Sequence, residues 1–144
     1  MQPVHKIEAW EKYLNCGIDD WASYFDITKR ACKDPYLRNF QYKFLHRIVP
    51  TNSFLYKIHI KDSKLCTFCK NQDETIGHLF YECPITSGFW NQFFDCLKTY
   101  YDNIVLDKKS ILLGFPEESL LFNLLVIIAK NYIFKCKLNE NCHI

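Results

Sequence analysis

Four residues in a short span limit this chain more than anything else in it. Cys66 and Cys69 enclose two residues, eight more precede His78, and four separate His78 from Cys83, which stands directly before Pro84. A Cys-x2-Cys turn can present two thiolates to one cation. His78 and Cys83, five apart, would point about 140° away from each other on an unbroken α-helix, so both reach one ion only if the helix breaks. Pro84 supplies the break: it disfavours the α region at Cys83, so a helix over 75–81 can carry His78 while the exiting chain swings Cys83 back. The expected species is a tetrahedral Cys3His site for Zn2+, with no open coordination position and hence a structural rather than a Lewis-acid role. Four unmetallated side chains and a disulfide are the alternatives. Phe68, between the first two ligands, either packs onto the domain or stacks on a base.

The other cysteines read differently. Nothing in MQPVHKIEAWEKYLNC has the basic start, apolar stretch and small-residue cleavage site of a signal peptide, so a reducing, intracellular setting, nuclear or cytoplasmic, is expected. There Cys16, Cys32, Cys96 and Cys136, alone among helix-like residues, read as small core hydrophobes, and Cys142 with His143 as a frayed tail. The apolar run 120–129 contains Asn123 and is too short for a bilayer span, which needs about 20 residues. With 49% hydrophobic residues in 144, a core of one domain can be filled without further staples.

Charge is unevenly placed. Residues 29–70 hold ten Lys or Arg against Asp34 and Asp62, net +8, whereas the flanking segments are each net −3. An anionic polymer would exploit such a block, because each cation set on a phosphate releases counterions; a solvated helix face is the alternative.

Spacing of apolar residues predicts a mainly α fold, a single small helical domain with a zinc-knuckle-like loop: an N-terminal helix within 1–19, the body over 20–138, and a tail at 139–144. Val4, Ile7, Trp10 and Leu14 recur at three and four over 3–15. Asp19 or Asp20 can cap a helix running toward Cys32, and Pro35 opens a third over 36–49 that Pro50 ends. On that third helix Leu37, Phe40, Phe44, Leu45 and Ile48 share one side, while Arg38, Tyr42, Lys43, His46 and Arg47 share the other. Thr51 suits the cap of a short helix holding Phe54, Leu55 and Ile58, with Lys57 and Lys61 outward. A helix over 86–101, an extended or turn segment at 111–114, and a last helix over 117–138 led by two acids complete the reading.

The ligand array and its surroundings resemble the zinc-binding domain that follows the reverse transcriptase in LINE-like (non-LTR) retrotransposon polyproteins. The matching residues are Trp21 and Phe25; Phe40, Gln41, Tyr42 and Lys43; Leu45, His46, Arg47 and Ile48; Thr51, Asn52 and Leu55; Cys66 and Cys69; Glu74 and Thr75; His78, Leu79 and Phe80; Cys83; and Phe89 with Trp90. The stretch AKNYIFKCKL is similar to the closing helix of animal members. The resemblance, over roughly 20–138, implies a non-catalytic module that helps hold template RNA or target DNA, with Cys66, Cys69, His78 and Cys83 as ligands. The polymerase fingers, palm and paired aspartates have no counterpart here, so the chain is not expected to be an enzyme or to take a small-molecule substrate.

Two functions follow as expectations. The first is binding of RNA or single-stranded DNA, with a retroelement polymerase as a further partner, through Arg38, Tyr42, Lys43, His46, Arg47, Lys57 and Lys61, away from any membrane. The second is a protein-interaction or structural remnant of that polyprotein without nucleic-acid binding.

Overall fold

The computed structural model describes residues 4–104, 107–139 and 144. Their regular structure is α1 (Val4–Leu14), α2 (Trp21–Ala31), α3 (Pro35–Leu45), α4 (Asn52–Lys57), a π-helical turn (His78–Glu82), α5 (Pro84–Leu97), α6 (Lys108–Leu113) and α7 (Leu120–Leu138). No strand occurs among the described residues beyond a lone antiparallel bridge between Leu65 and Asp73. The mainly helical expectation holds. Two compact units emerge: Met1–Val49 with Lys108–Asn131, and Pro50–Asp107 with Tyr132–Ile144. Cys142 and His143 lie outside the described residues.

In the first unit, caps set the helix ends. Asp20 accepts the Ser23 N–H, and Asp34, just before Pro35 at N1, accepts the Tyr36 N–H at 2.8 Å. The orphan carbonyls at the end of α2 are met from a distance: Arg38 donates Nε to Cys32 O and Nη2 to Lys29 O, at 2.9 and 2.8 Å. Trp10, fully buried, does the same for α3 by donating its indole N–H to Leu45 O at 2.8 Å.

Helix α3 ends earlier than expected. Its last turn closes by two bonds, Ile48 N–H to Lys43 O and Arg47 N–H to Phe44 O, with Arg47 at φ 57°. This is a Schellman turn with arginine in the left-handed position that glycine usually fills. The Arg47 guanidinium lies 4.6 Å from the Trp10 ring centroid, and such a stack contributes about 0.5–2 kcal/mol, enough to offset the conformational cost of that residue. Pro50 is therefore not what stops the helix. Phe40, Phe44 and Leu45 are buried as expected, but Ile48, past the turn, is exposed and Val49 is buried in its place.

Two further expectations change. Residues 111–114 are not extended: Ile111, Leu112 and Leu113 are the buried end of α6. Gly114, at φ 135°, turns the chain, and the Asn123 amide clamps Phe115 by accepting its N–H and donating to its carbonyl, at 2.8 and 2.9 Å. Helix α7 begins at Leu120, with the Ser119 hydroxyl accepting the Phe122 N–H, so Glu117 and Glu118 precede it rather than charging its first turn. Among the cysteines, Cys32 and Cys136 are buried as expected, Cys136 as part of a disulfide, whereas Cys16 and Cys96 are exposed.

Lys130 is wholly buried in the first unit, donating to Leu112 O at 2.9 Å with its Nζ 4.4 Å from the Phe44 ring centroid. Desolvation holds it well below the ordinary lysine range. The unfolded chain therefore binds a proton that the folded chain does not, over the interval from the depressed value up to the ordinary one. Across that interval wild-type stability should rise with pH relative to Lys130→Met, by at most about 1.4 kcal/mol per pH unit. Urea denaturation of both proteins from pH 7 to 10 measures this, and parallel curves would show that burial leaves the ammonium unperturbed.

Candidate metal centre and basic residues

The second unit builds the metal site from a hairpin and a distorted helix. Cys66 N–H donates to Gln72 O and Glu74 N–H to Lys64 O, both at 2.8 Å, which pairs the chain on either side of the Cys66–Cys69 turn. Lys70 at φ 57° and its N–H on Cys66 O at 3.0 Å close that turn.

His78 and Cys83 are joined by a device the sequence reading did not contain. The segment between them is one π-helical turn, closed by the Cys83 N–H donating to the His78 carbonyl at 2.8 Å. Widening the turn so that residues five apart are bonded brings both side chains toward one side, which an α-turn would not do. Cys83 itself is extended, at φ −56° and ψ 131°, as a residue before proline prefers.

The distortion leaves carbonyls to be satisfied. The Cys83 N–H is used on His78 and Pro84 has none, so Leu79 O and Phe80 O lack their usual helical donors. Helix α5 provides replacements: the Thr86 hydroxyl donates to Leu79 O and the Trp90 indole to Phe80 O, each at 2.7 Å and buried.

The four candidate donor atoms lie within 4.8 Å of one another. Cys66 Sγ and Cys83 Sγ are 3.9 Å apart, and Cys69 Sγ is 3.3 Å from His78 Nε2. A tetrahedron with ~2.3 Å metal–sulfur bonds has edges of roughly 3.8 Å, so the spacing fits one ion. The thiols differ in acidity. Burial pushes Cys66 up to about 12. At Cys69 burial also opposes ionisation, but the Asn71 and Gln72 N–H groups, the His78 ring and Cys66 outweigh it and bring the thiol down to about 6. Cys69 is thus more readily deprotonated than Cys66 for an incoming cation.

Beneath the hairpin sits a buried polar hub. Glu74 Oε1 accepts the Asn52 N–H at 2.9 Å and pairs with Lys137 Nζ at 2.8 Å, while Oε2 accepts the Thr67 N–H at 2.6 Å and Asn52 Nδ2 at 3.3 Å. Asn52 Nδ2 also donates to Leu65 O at 2.7 Å, and its Oδ1 accepts from Lys137 and Lys61, at 2.8 and 3.0 Å. The start of α4, the residue after Cys66 and the last turn of α7 are thereby fastened to one carboxylate. Glu74 and Asn52 contributed to the resemblance without a role; Lys137, 63 positions from Glu74, carried no signal of pairing.

The basic residues are placed unequally. Tyr42 and Lys43 are exposed on α3, and Lys57 and Lys61 are exposed on and after α4. Arg38 and Arg47 are largely engaged, on the α2 carbonyls and on the Trp10 ring. His46 packs at a tilt against Tyr42 and Phe25, with ring centroids at 4.3 and 5.2 Å, and burial with the nearby Lys6 charge lowers its proton affinity.

The family described as zinc-binding in reverse transcriptase matches residues 9–90, more than half of the chain, and the protein belongs to that family. The matched span holds all four cluster residues and ends at Trp90, so the α7 stretch AKNYIFKCKL lies outside it. No curated protein and no solved structure matches the chain. No helix among the described residues is long and apolar enough to cross a membrane.

Removing one member of a buried ion pair strands the other charge and destabilises by ~3–5 kcal/mol. Lys137→Met is expected to lower unfolding free energy by that amount in urea denaturation at saturating Zn2+; a change under 1 kcal/mol would mean Glu74 does not depend on Lys137.

Proposed function

We propose that this protein is a non-catalytic module, derived from a non-LTR retrotransposon reverse transcriptase, that uses a structural zinc ion to shape a surface for RNA or single-stranded DNA. The ion would be held by Cys66, Cys69, His78 and Cys83. Three thiolates and an imidazole are the donor set zinc favours, and four protein ligands fill a tetrahedron, leaving no position at which water could be activated. What the metal supplies is folding energy, on the order of 10 kcal/mol at neutral pH in finger-sized sites.

The observation that carries nucleic-acid binding is the charge of residues 29–70, net +8, together with where its lysines stand. Lys43 beside the half-exposed Tyr42 in the first unit, and Lys57, Lys61 and Lys70 in the second, are all open to solvent. Exposed lysines contact phosphates, and an exposed ring offers a sequence-tolerant stacking face. The partner fitting this chemistry is a flexible, unpaired strand. A second reading, protein docking, draws on the exposed apolar side chains Phe54, Ile58 and Ile60, the last 67% exposed; such docking would be insensitive to salt, unlike phosphate binding.

Native mass spectrometry should find one zinc per chain, and Cys69→Ser should lower both zinc stoichiometry and melting temperature. Retention of full zinc by that variant would remove Cys69 from the ligand set.

Anisotropy titration with a single-stranded RNA at several salt concentrations tests the partner. Lys43→Ala should flatten the dependence of log K on log salt by about 0.7, the share of one phosphate contact on a single strand. Arg47→Ala should instead lower stability, because its guanidinium rests on Trp10. An unchanged slope for Lys43→Ala would take α3 out of the binding surface.

A further inference from the structure

Beside the metal hairpin, within the second unit, lies an open cleft of about 880 Å3 whose walls include Lys61, Ser63, Thr67, Phe68, Lys70 and Ile85. Its volume is within the ~300–1,000 Å3 range of small-ligand sites. Three features of it point to the same ligand chemistry.

The first is an unbalanced charge. Lys61 and Lys137 both donate to Asn52 Oδ1, at 3.0 and 2.8 Å, yet the carboxylate at this hub, Glu74, is already paired with Lys137. Lys61 and Lys70 have no ion-pair partner among the described residues, whereas neighbouring Lys64 is paired with Asp73 at 3.4 Å. Among the described residues, no acidic side chain lines the cleft. A zinc-loaded Cys3His centre, with three thiolates on a divalent ion, would carry one net negative charge nearby; the two ammonium groups at the rim, neither ion-paired among the described residues, exceed it.

The second is an unused ring. Phe68 is half-buried on the cleft wall, and no ring among the described residues stacks on it, whereas Phe89, Trp90 and Phe93 of this unit are in ring contact with one another. The third is rigidity: Phe68 lies inside the turn closed by the Lys70 N–H on Cys66 O at 3.0 Å, and Thr67 is fastened by its N–H to Glu74, so the backbone that carries Phe68 and Lys70 is held before any ligand arrives.

We infer that this cleft takes one unstacked nucleotide of a single strand, its base on the face of Phe68 and its phosphates between Lys61 and Lys70. The inference rests on the nucleic-acid reading above and assigns it a subsite. A planar, uncharged face joined to an anion is what an aromatic wall with two rim lysines selects, and a strand end or splayed base presents both. A duplex cannot, because its bases are already stacked and paired. The backbone phosphates and base faces of RNA and single-stranded DNA share this chemistry.

The test uses the zinc-loaded full chain and fluorescein-labelled U8, dT8 and a hairpin-closed duplex, followed by anisotropy. Phe68→Leu keeps the apolar volume but removes the stacking face, and should weaken U8 or dT8 binding by about 5- to 150-fold with zinc stoichiometry unchanged. Lys70→Gln, an exposed change that leaves the hub intact, should weaken binding and reduce the salt slope by about 0.7. Phe68→Trp should restore what Phe68→Leu loses. Tight single-strand binding by the wild type that neither Phe68→Leu nor Lys70→Gln alters overturns the cleft while leaving nucleic-acid binding in place. Duplex binding as tight as single-strand binding, unaffected by Phe68→Leu, also overturns it, and no binding of any probe by the wild type overturns both readings.

Discussion

Glu74 is shut off from water, and its two oxygens accept from a lysine, an asparagine side chain and two backbone N–H groups. A buried carboxylate left without such partners would neutralise or unfold its surroundings, so every group it holds is fixed by the penalty of releasing it. Through Thr67 it positions the residue next to Cys66, through Asn52 it starts α4, and through Lys137 it anchors the last turn of α7. The geometry of the first two sulfur ligands is therefore set partly by a side chain that touches no metal. Ligand spacing says which atoms can meet; the hub holds the turn that carries two of them.

The other half of the site depends on backbone bookkeeping. A π-turn costs two ordinary helical bonds at its exit, and a proline immediately after it removes a donor as well. That arrangement survives because Thr86 and Trp90 stand at the beginning of the next helix to meet the exposed carbonyls of Leu79 and Phe80. Each such bond has a modest net contribution of about 0.5–1.5 kcal/mol, but leaving a buried carbonyl unpaired costs about 1–3 kcal/mol. Thr86 and Trp90 are thus as much a part of the metal centre as the residues of the turn itself.

Basic charge is divided between structural and available groups in a way a helical projection does not reveal. Arg38 and Arg47 share the polar side of α3 on paper, yet one closes the end of α2 and the other, past a left-handed turn, lies on an indole. Arginine suits both tasks, since its planar, multiply donating head satisfies carbonyls and stacks on rings. Lysines, hydrated point charges on flexible stems, make up most of what stays exposed, Lys43, Lys57, Lys61 and Lys70 among them, with Arg30 the exposed arginine of the block.

Much of this was legible from the residues alone. Apolar spacing located α1, α2 and the body of α3, capping residues Asp20 and Thr51 stood where short polar side chains before a periodic run belong, and the Cys-x2-Cys, His and pre-proline Cys formed one cluster. These are local properties: periodicity, caps and proline sterics act within a few residues, so the chain states them directly. Tertiary structure alone decided the π-turn, the Glu74–Lys137 pair, the early Schellman end of α3 and the helical state of 108–113. Each of those depends on a partner distant in sequence, or on whether burial makes an unfavourable local choice affordable, and neither is written in the spacing of neighbouring residues. The same reason explains Cys16, Cys96 and Cys136: a cysteine's surroundings, not its neighbours in the chain, determine whether it is a core thiol, an exposed one or half of a disulfide.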